Sequence, residues 1–140
     1  MKQKAITFAL SGLLLLSAGA YATGGSYSST ISAPTVTLKN QWYQKAFPVT
    51  SGTPSAGKIS MVYYNWAYGR DQAGLRVSLC TSTSTVCINV TNAKSGSVNF
   101  SSYNLSPNQS FSLKAIVEGT GKMVPLYGNQ SQVIVNYSFN

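Results

Sequence analysis

The two cysteines of the chain, Cys80 and Cys87, have the spacing that most clearly supports a covalent bond. Apolar residues alternate with other residues on both sides of a polar loop, a period-2 pattern typical of two half-buried strands. The inward-facing set is Leu75, Val77, Leu79, Ile88 and Val90. Both cysteines then fall on the outward face of a hairpin, where directly opposed residues are close enough to bridge. We therefore predict a Cys80–Cys87 disulfide, which requires an oxidising compartment.

Groups able to perform acid–base catalysis are scarce. The chain has no histidine, which removes the usual general base and any Ser-His-Asp or Cys-His arrangement. Its two carboxylates, Asp71 and Glu118, could form a glycosidase pair, but each lies at a predicted turn or strand end. Two isolated carboxylates and a disulfide also provide no set of metal ligands. We therefore predict a protein that is not an enzyme and has no cofactor or metal.

An aromatic row provides the candidate binding site. Tyr64, Trp66 and Tyr68 alternate along the longest predicted strand, residues 58–68. Such a row could stack on sugar rings or form a protein-interface hot spot. The alternative is that these rings belong to the core, and the tendency of aromatic residues to be buried favours it. Arg76 is predicted to face outward on the same side as Cys80, where it could pair with an acidic partner, although a solvated arginine is the default.

The N-terminus has the three regions of a secretory signal peptide. A basic start is followed by an apolar segment at residues 5–16, and residues 20–22 form an A-x-A cleavage site. We predict a Sec-type signal peptide over residues 1–22, cleaved after Ala22, and hence export to the periplasm. The next residues, 23–33, are rich in Gly, Ser and Thr and predict a flexible segment. Residues 34–140 would then form a single domain.

The charge balance limits the partners of the exported chain. The formal net charge is +8 for 140 residues, and +6 without Lys2 and Lys4 of the predicted signal peptide. The basic residues are scattered, which is typical of solvated strand faces, although an acidic protein, polysaccharide or lipid surface would also suit them. Nucleic acid is not an expected partner of an exported protein. No later segment is long and apolar enough to predict stable membrane insertion.

Short alternating segments separated by polar turns run through the rest of the chain. No segment has a helical period, and seven to nine strands are predicted. This pattern predicts an all-β, antiparallel sandwich with an immunoglobulin-like or periplasmic-chaperone-like outline, with a closed barrel as the competitor. The last strand, residues 132–139, carries enough apolar surface to be integral to the sandwich.

Four features of the sequence resemble those of a known protein family and occur in the same order along the chain. They are residues 73–80 (AGLRVSLC), Cys87, residues 121–126 (GKMVPL) and residues 131–137 (SQVIVNY). The set, preceded by a signal peptide, resembles the flagellar protein FlhE family. This resemblance implies a periplasmic accessory protein of flagellar assembly that is not an enzyme. It implies chaperone-like binding of flagellar rod or structural subunits, or prevention of proton leakage through the export apparatus, with rod or export-apparatus proteins as partners.

Two other classes of function fit the same pattern. A fimbrial subunit or its chaperone would also be an exported, Ser/Thr-rich sandwich with an apolar C-terminal strand. An exported sugar-binding module is the other alternative, and it depends on the aromatic residues alone.

Overall fold

The computed structural model describes residues 23–139, so the predicted signal peptide at residues 1–22 lies outside the described residues. The described residues form eight strands, with one 3-10 turn at Ser101–Tyr103 between the sixth and the seventh. Their bounds are β1 Gly24–Ser32, β2 Tyr43–Ala46, β3 Lys58–Asn65, β4 Leu75–Thr81, β5 Cys87–Asn89, β6 Ser95–Asn99, β7 Phe111–Val117 and β8 Gln130–Ser138.

The strands form two four-stranded antiparallel sheets. The first sheet has the order β1-β8-β3-β6 and the second β2-β7-β4-β5. The predicted antiparallel sandwich is therefore confirmed. Its strand order is that of an eight-stranded jelly roll rather than of the immunoglobulin fold. The sequence pattern could not distinguish the two, because alternation defines which face of a strand is buried but not which strand is its neighbour.

Strand β8 lies between β1 and β3, and its inward side chains Val133 and Val135 are fully buried. The register with β1 is unbroken from Gly24↔Ser138 to Ser32↔Gln130. The C-terminal strand is thus integral to the first sheet, as its alternation predicts.

Strand β1 corrects the predicted flexibility of residues 23–33. Its nine residues are mostly Gly and Ser, a composition typical of loops, yet all nine pair with β8. Tyr27 and Ala33 are buried in the core, and Ile31 packs against it. A few inward apolar side chains and a partner strand are therefore enough to order the segment.

Strand β3 contains an irregularity that explains its two apolar faces. The register with β8 shifts between Ile59 and Val62, which places both of these side chains in the core although they are three residues apart. After this bulge, Tyr63 faces outward and Tyr64 inward. Strict alternation from Ile59 would have placed Val62 on the opposite face.

The predicted disulfide is present and joins β4 to β5. Cys80 and Cys87 are directly opposed in the register, with Cα atoms 4.1 Å apart. Cys80 is buried without belonging to the core cluster, and Cys87 is exposed, which agrees with the outward parity predicted for both. The bridge stabilises the end of the second sheet, where β5 has only three residues.

The position of β8 predicts the effect of two aspartate substitutions on one strand. Val135→Asp places an unpaired charge in the core and should lower the free energy of unfolding by several kcal/mol, about 3–5. Ile134→Asp is the matched control, because Ile134 faces outward and is 39% exposed. It should change stability by about 1 kcal/mol or less. Urea unfolding followed by circular dichroism gives both values, and equal losses would contradict the integral position of β8.

Tyr27 predicts a specific alkaline sensitivity. Its hydroxyl is buried and has no hydrogen-bond partner among the described residues. Burial raises the pKa of Tyr27 from 10.0 to about 12. The unfolded chain therefore ionises first, and the contribution of Tyr27 to stability is present below pH 10 and is lost as the pH rises towards about 12.

Tyr27→Phe removes both the unpaired hydroxyl and this titration. At pH 7 we expect the free energy of unfolding to stay within about 1 kcal/mol of wild type or to rise. Between pH 10 and 12 the variant should lose less stability than wild type. Urea unfolding at each pH measures the difference, and parallel losses in the two proteins would show that Tyr27 does not ionise on unfolding.

Candidate functional site

The predicted aromatic row is largely part of the core. Tyr64 is 8% exposed and Trp66 4% exposed. The indole Nε1–H of Trp66 donates to the Val90 carbonyl oxygen at 3.0 Å. The Tyr68 hydroxyl donates to the Pro34 carbonyl oxygen at 2.7 Å, and burial raises its pKa. These contacts tie loops to the sandwich, so the row is not an exposed platform.

A small cavity opens beside two of these rings. Trp66 and Tyr68 help to line a volume of about 180 Å³ together with Arg70, Asp71 and Lys94. The Lys94 ammonium lies 5.8 Å from the Trp66 ring and 3.4 Å from an Asp71 carboxylate oxygen. Typical ligand pockets measure about 300–1,000 Å³, so this cavity is too small to be the main site.

Arg76, the fourth predicted residue, belongs to a different surface. It lies on the outer face of the second sheet, with its guanidinium 5.8 Å from the centre of the Trp42 ring. The Lys114 ammonium is 5.4 Å from the same ring. Trp42, Arg76 and Lys114 form what we call the Trp42 cluster, an exposed indole flanked by two cations.

The local sequence explains how the Trp42 cluster is positioned. Arg76 on β4 pairs with Ile116 on β7, two register positions from the pair of Ser78 with Lys114. All four residues have outward parity. Ile116 is nevertheless only 6% exposed and is not part of the core cluster. Ile116 is therefore covered by neighbouring groups on the outer face of the sheet, directly opposite Arg76 in the register.

Charge on this face is mainly positive. Arg76 has one acidic neighbour, Glu118, at 3.2 Å, and both side chains are about half exposed. No ion pair with Lys114 is found in the described part of the chain. An ion pair between exposed groups contributes about 0–1 kcal/mol, so Arg76 could exchange Glu118 for a carboxylate of a partner at little cost.

A cleft begins one residue before Trp42. Residues 37–41 and 121–123 line a volume of about 450 Å³ that contains Lys39, Lys122 and no acidic residue. Leu38 and Met123 give it apolar surface. The cleft is large enough for part of an extended peptide or another small ligand.

Asn40 and Lys39 fix one side of this cleft against the other. The Asn40 amide Nδ2–H donates to the Gly119 carbonyl oxygen at 2.8 Å, and the Asn40 Oδ1 accepts from the Gly119 N–H at 3.1 Å. Asn40 has a φ of 64°, a left-handed conformation that asparagine tolerates. The Lys39 ammonium donates to the Thr120 carbonyl oxygen at 2.7 Å. The two walls are therefore held in place without a ligand.

Tyr43, which follows Trp42, secures the other end of residues 37–41. Its hydroxyl shares a hydrogen bond with the Thr37 hydroxyl at 2.9 Å and accepts from the Leu38 N–H at 3.0 Å. The hydrogen bond with Thr37 is the main cause that lowers the pKa of Tyr43. Trp42 thus lies between two fixed points, Asn40 and Tyr43.

The groups on this surface are of the kind that can recognise anionic, partly apolar ligands. Ammonium, guanidinium and amide groups can bind carboxylates, and the indole and Leu38 offer apolar contact. Within residues 23–139, no three His, Cys, Asp or Glu residues are close enough to hold a metal ion. No helix in the same residues is long and apolar enough to cross a membrane.

Arg76 was among the residues predicted from the sequence, whereas Trp42, Lys114 and the cleft were not. Alternation on β4 gives the outward parity of Arg76, and the same argument on β7 gives that of Lys114. Trp42 lies just outside β2 in irregular structure, where alternation carries no information. The one sequence feature that could have indicated Trp42 is a large aromatic residue next to a short, polar edge strand.

The different positions of the two tryptophans predict different effects of truncation. Trp66→Ala should lower the free energy of unfolding by about 3–5 kcal/mol, because it empties a buried site and removes a hydrogen bond. Trp42→Ala should lower it by about 1–2 kcal/mol, since it removes two exposed cation–π contacts. Guanidinium unfolding at low salt measures both variants. A loss for Trp42→Ala as large as that for Trp66→Ala would mean that Trp42 serves the core and not a surface.

Comparisons with known proteins relate the fold to several solved structures. No protein-family model and no curated protein sequence matches the chain. The crystal structure of FlhE has a TM-score of 0.68 and 20% identity, covering 84% of this chain and 99% of that chain. The Aeromonas sobria serine protease and chaperone ORF2 complex has a TM-score of 0.57 and 9% identity, covering 89% of this chain and 29% of that chain.

The structure of tomato aspermy virus has a TM-score of 0.53 and 11% identity, covering 85% of this chain and 79% of that chain. At such identities these similarities describe the fold alone. The chain is therefore similar in fold to FlhE, over nearly the full length of that protein.

Proposed function

We propose that this protein is a periplasmic accessory of flagellar assembly that acts by binding a protein partner and not by catalysis. The observation that carries the proposal is the fold similarity to FlhE, which covers 99% of the FlhE chain at a TM-score of 0.68. The segments that resemble the FlhE family form three parts of this fold. They are the disulfide hairpin of β4 and β5, the connection between β7 and β8, and strand β8 itself.

Within this role, we propose that the protein binds flagellar rod or export-apparatus proteins. Such binding would serve either to chaperone flagellar subunits or to limit proton leakage through the export apparatus. The Trp42 cluster and the neighbouring cleft are the proposed contact surface. Lys39, Lys114 and Lys122 supply positive charge there, which suits an acidic segment of the partner.

The alternatives have less support. A fimbrial subunit that is completed by a strand from another molecule would lack a strand in its own sheet. Here β8 is paired on both sides, with β1 and with β3. The sugar-binding alternative depended on Tyr64, Trp66 and Tyr68, of which Tyr64 and Trp66 are buried.

Deletion of the gene tests the role. We expect impaired flagellar assembly or motility, or a fall in cytoplasmic pH, and normal piliation. Flagella counted by electron microscopy, swimming assays and a cytoplasmic pH reporter give the readouts. Normal flagella, motility and pH together with lost piliation would favour the fimbrial alternative.

Complementation of the deletion tests the contact surface. Lys114→Glu removes the net positive charge of the Trp42 cluster, because the new carboxylate offsets the Arg76 guanidinium, and the variant should fail to restore the phenotype. Lys58→Glu is the matched control, because Lys58 is an exposed lysine at the start of β3 in the other sheet. It should complement like wild type. Equal complementation by both variants, with equal protein levels, would exclude the Trp42 cluster as the contact surface.

A further inference from the structure

Strand β1 is an edge strand whose outer edge is open. Thr23 accepts a backbone hydrogen bond from Phe139 at 2.9 Å, and Ala33 donates one to Asn129 at 2.9 Å. Odd-numbered residues of β1 therefore turn their backbone N–H and C=O groups towards β8. The alternate residues turn these groups away from the sheet; they are Gly24, Ser26, Ser28, Thr30 and Ser32.

Little of the described chain covers this edge. The Thr50 hydroxyl reaches the Ser28 carbonyl oxygen at 3.5 Å, the limit of a hydrogen bond. None of the other outward-turned backbone groups of β1 has a backbone partner outside the strand ladder in residues 23–139. Ser26, Ser28, Thr30 and Ser32 are exposed, and their side chains are short. The side chains of β1 therefore leave room for an incoming strand, although the Thr50 hydroxyl has to turn away from Ser28 for a second strand to pair there.

The other three edges of the sandwich are protected, and β1 is not. Strand β2 has four residues and carries Lys45, and β5 has three residues held by the disulfide. Strand β6 has five residues and directly follows Lys94. Short length and lysines are the devices that prevent edge-to-edge association. In contrast, β1 has nine residues, no charge, no proline and no break in register.

We propose that β1 pairs with β1 of a second copy of this chain, antiparallel and about a two-fold axis at Ser28. This register is the one that pairs all nine residues of each strand. It places Ser28 opposite Ser28 and Ser26 opposite Thr30 of the second copy, which are pairs of hydroxyl side chains that hydrogen-bond across strands. The two first sheets become one continuous sheet of eight strands.

Charge explains why the occupant is a second copy and not a charged partner. The edge carries no charge, so a charged strand would gain no ion pair from it. The outer-face residues beside β1 on β8 are also uncharged: Gln132, Ile134 and Asn136. Two copies of this cationic chain can therefore approach along β1 without placing like charges opposite one another. The inference is independent of the proposed flagellar role, because it rests on β1 alone.

Charge variants at the two-fold axis test the pairing. The protein used is residues 23–140, studied by sedimentation velocity over about a hundredfold range of concentration. Wild type should show a concentration-dependent dimer. Ser28→Lys and Ser28→Asp each place like charges opposite one another and should weaken the dimer at least about tenfold. An equal mixture of the two variants should dimerise again, because lysine then faces aspartate.

Two controls keep the result interpretable. Ser97→Lys adds the same charge to an exposed serine of β6, the other edge of the first sheet, and should dimerise like wild type. Ser28 donates no backbone hydrogen bond to β8, so thermal melts of its variants should match wild type at protein concentrations where wild type is monomeric. A wild-type protein that stays monomeric at every concentration would overturn the proposal. So would a dimer that survives both single variants, or a mixture that stays monomeric.

Discussion

The pairing of β8 with both β1 and β3 is the interaction on which the rest of the structure depends. The first sheet has four strands, and β8 makes two of its three interfaces. Its inward residues Val133 and Val135 are fully buried, as are Val62 on the neighbouring β3 and most of the inward side chains of β7. The bulge on β3 keeps Ile59 and Val62 in this core, while β8 itself remains regular. Without β8, β1 would have no partner and β3 only β6.

The sequence predicted the second sheet better than the first, for a physical reason. Strands β4, β5 and β7 alternate strictly, so the inward faces, the outward parity of Arg76 and the disulfide all followed from side-chain period. Strand β1 is mostly Gly and Ser, and its order comes from pairing with a strand that is distant in sequence, from Gly24↔Ser138 to Ser32↔Gln130. The residues of β1 do not indicate which distant strand they pair with. The bulge on β3 likewise became visible only through the register with β8.

The candidate site was predictable only in part, because it is assembled from irregular segments. Arg76 and Lys114 lie on regular strands and have an orientation that alternation specifies. Trp42 and the cleft depend on Asn40 and Tyr43, whose hydrogen bonds join residues that are distant in sequence or lie in an irregular loop. For the aromatic row, in contrast, the spacing of the residues was evident from the sequence. Whether the rings are buried was not, because burial depends on which segments pack against them. Trp66 and Tyr68 anchor the loops that follow β5 and β1, through hydrogen bonds to Val90 and Pro34.

The pairing of the first strand with the last also governs when this molecule can fold. A ribosome makes β1 first and β8 last, so the first sheet cannot close until nearly the whole chain has been made. Consecutive strands mostly alternate between the two sheets, and within residues 23–139 only β4 and β5 are both consecutive and paired with each other. The first sheet therefore stays incomplete until β8 has been made. An open chain is the form that passes through a narrow translocation channel, so late closure of this sheet would suit the export proposed for this protein.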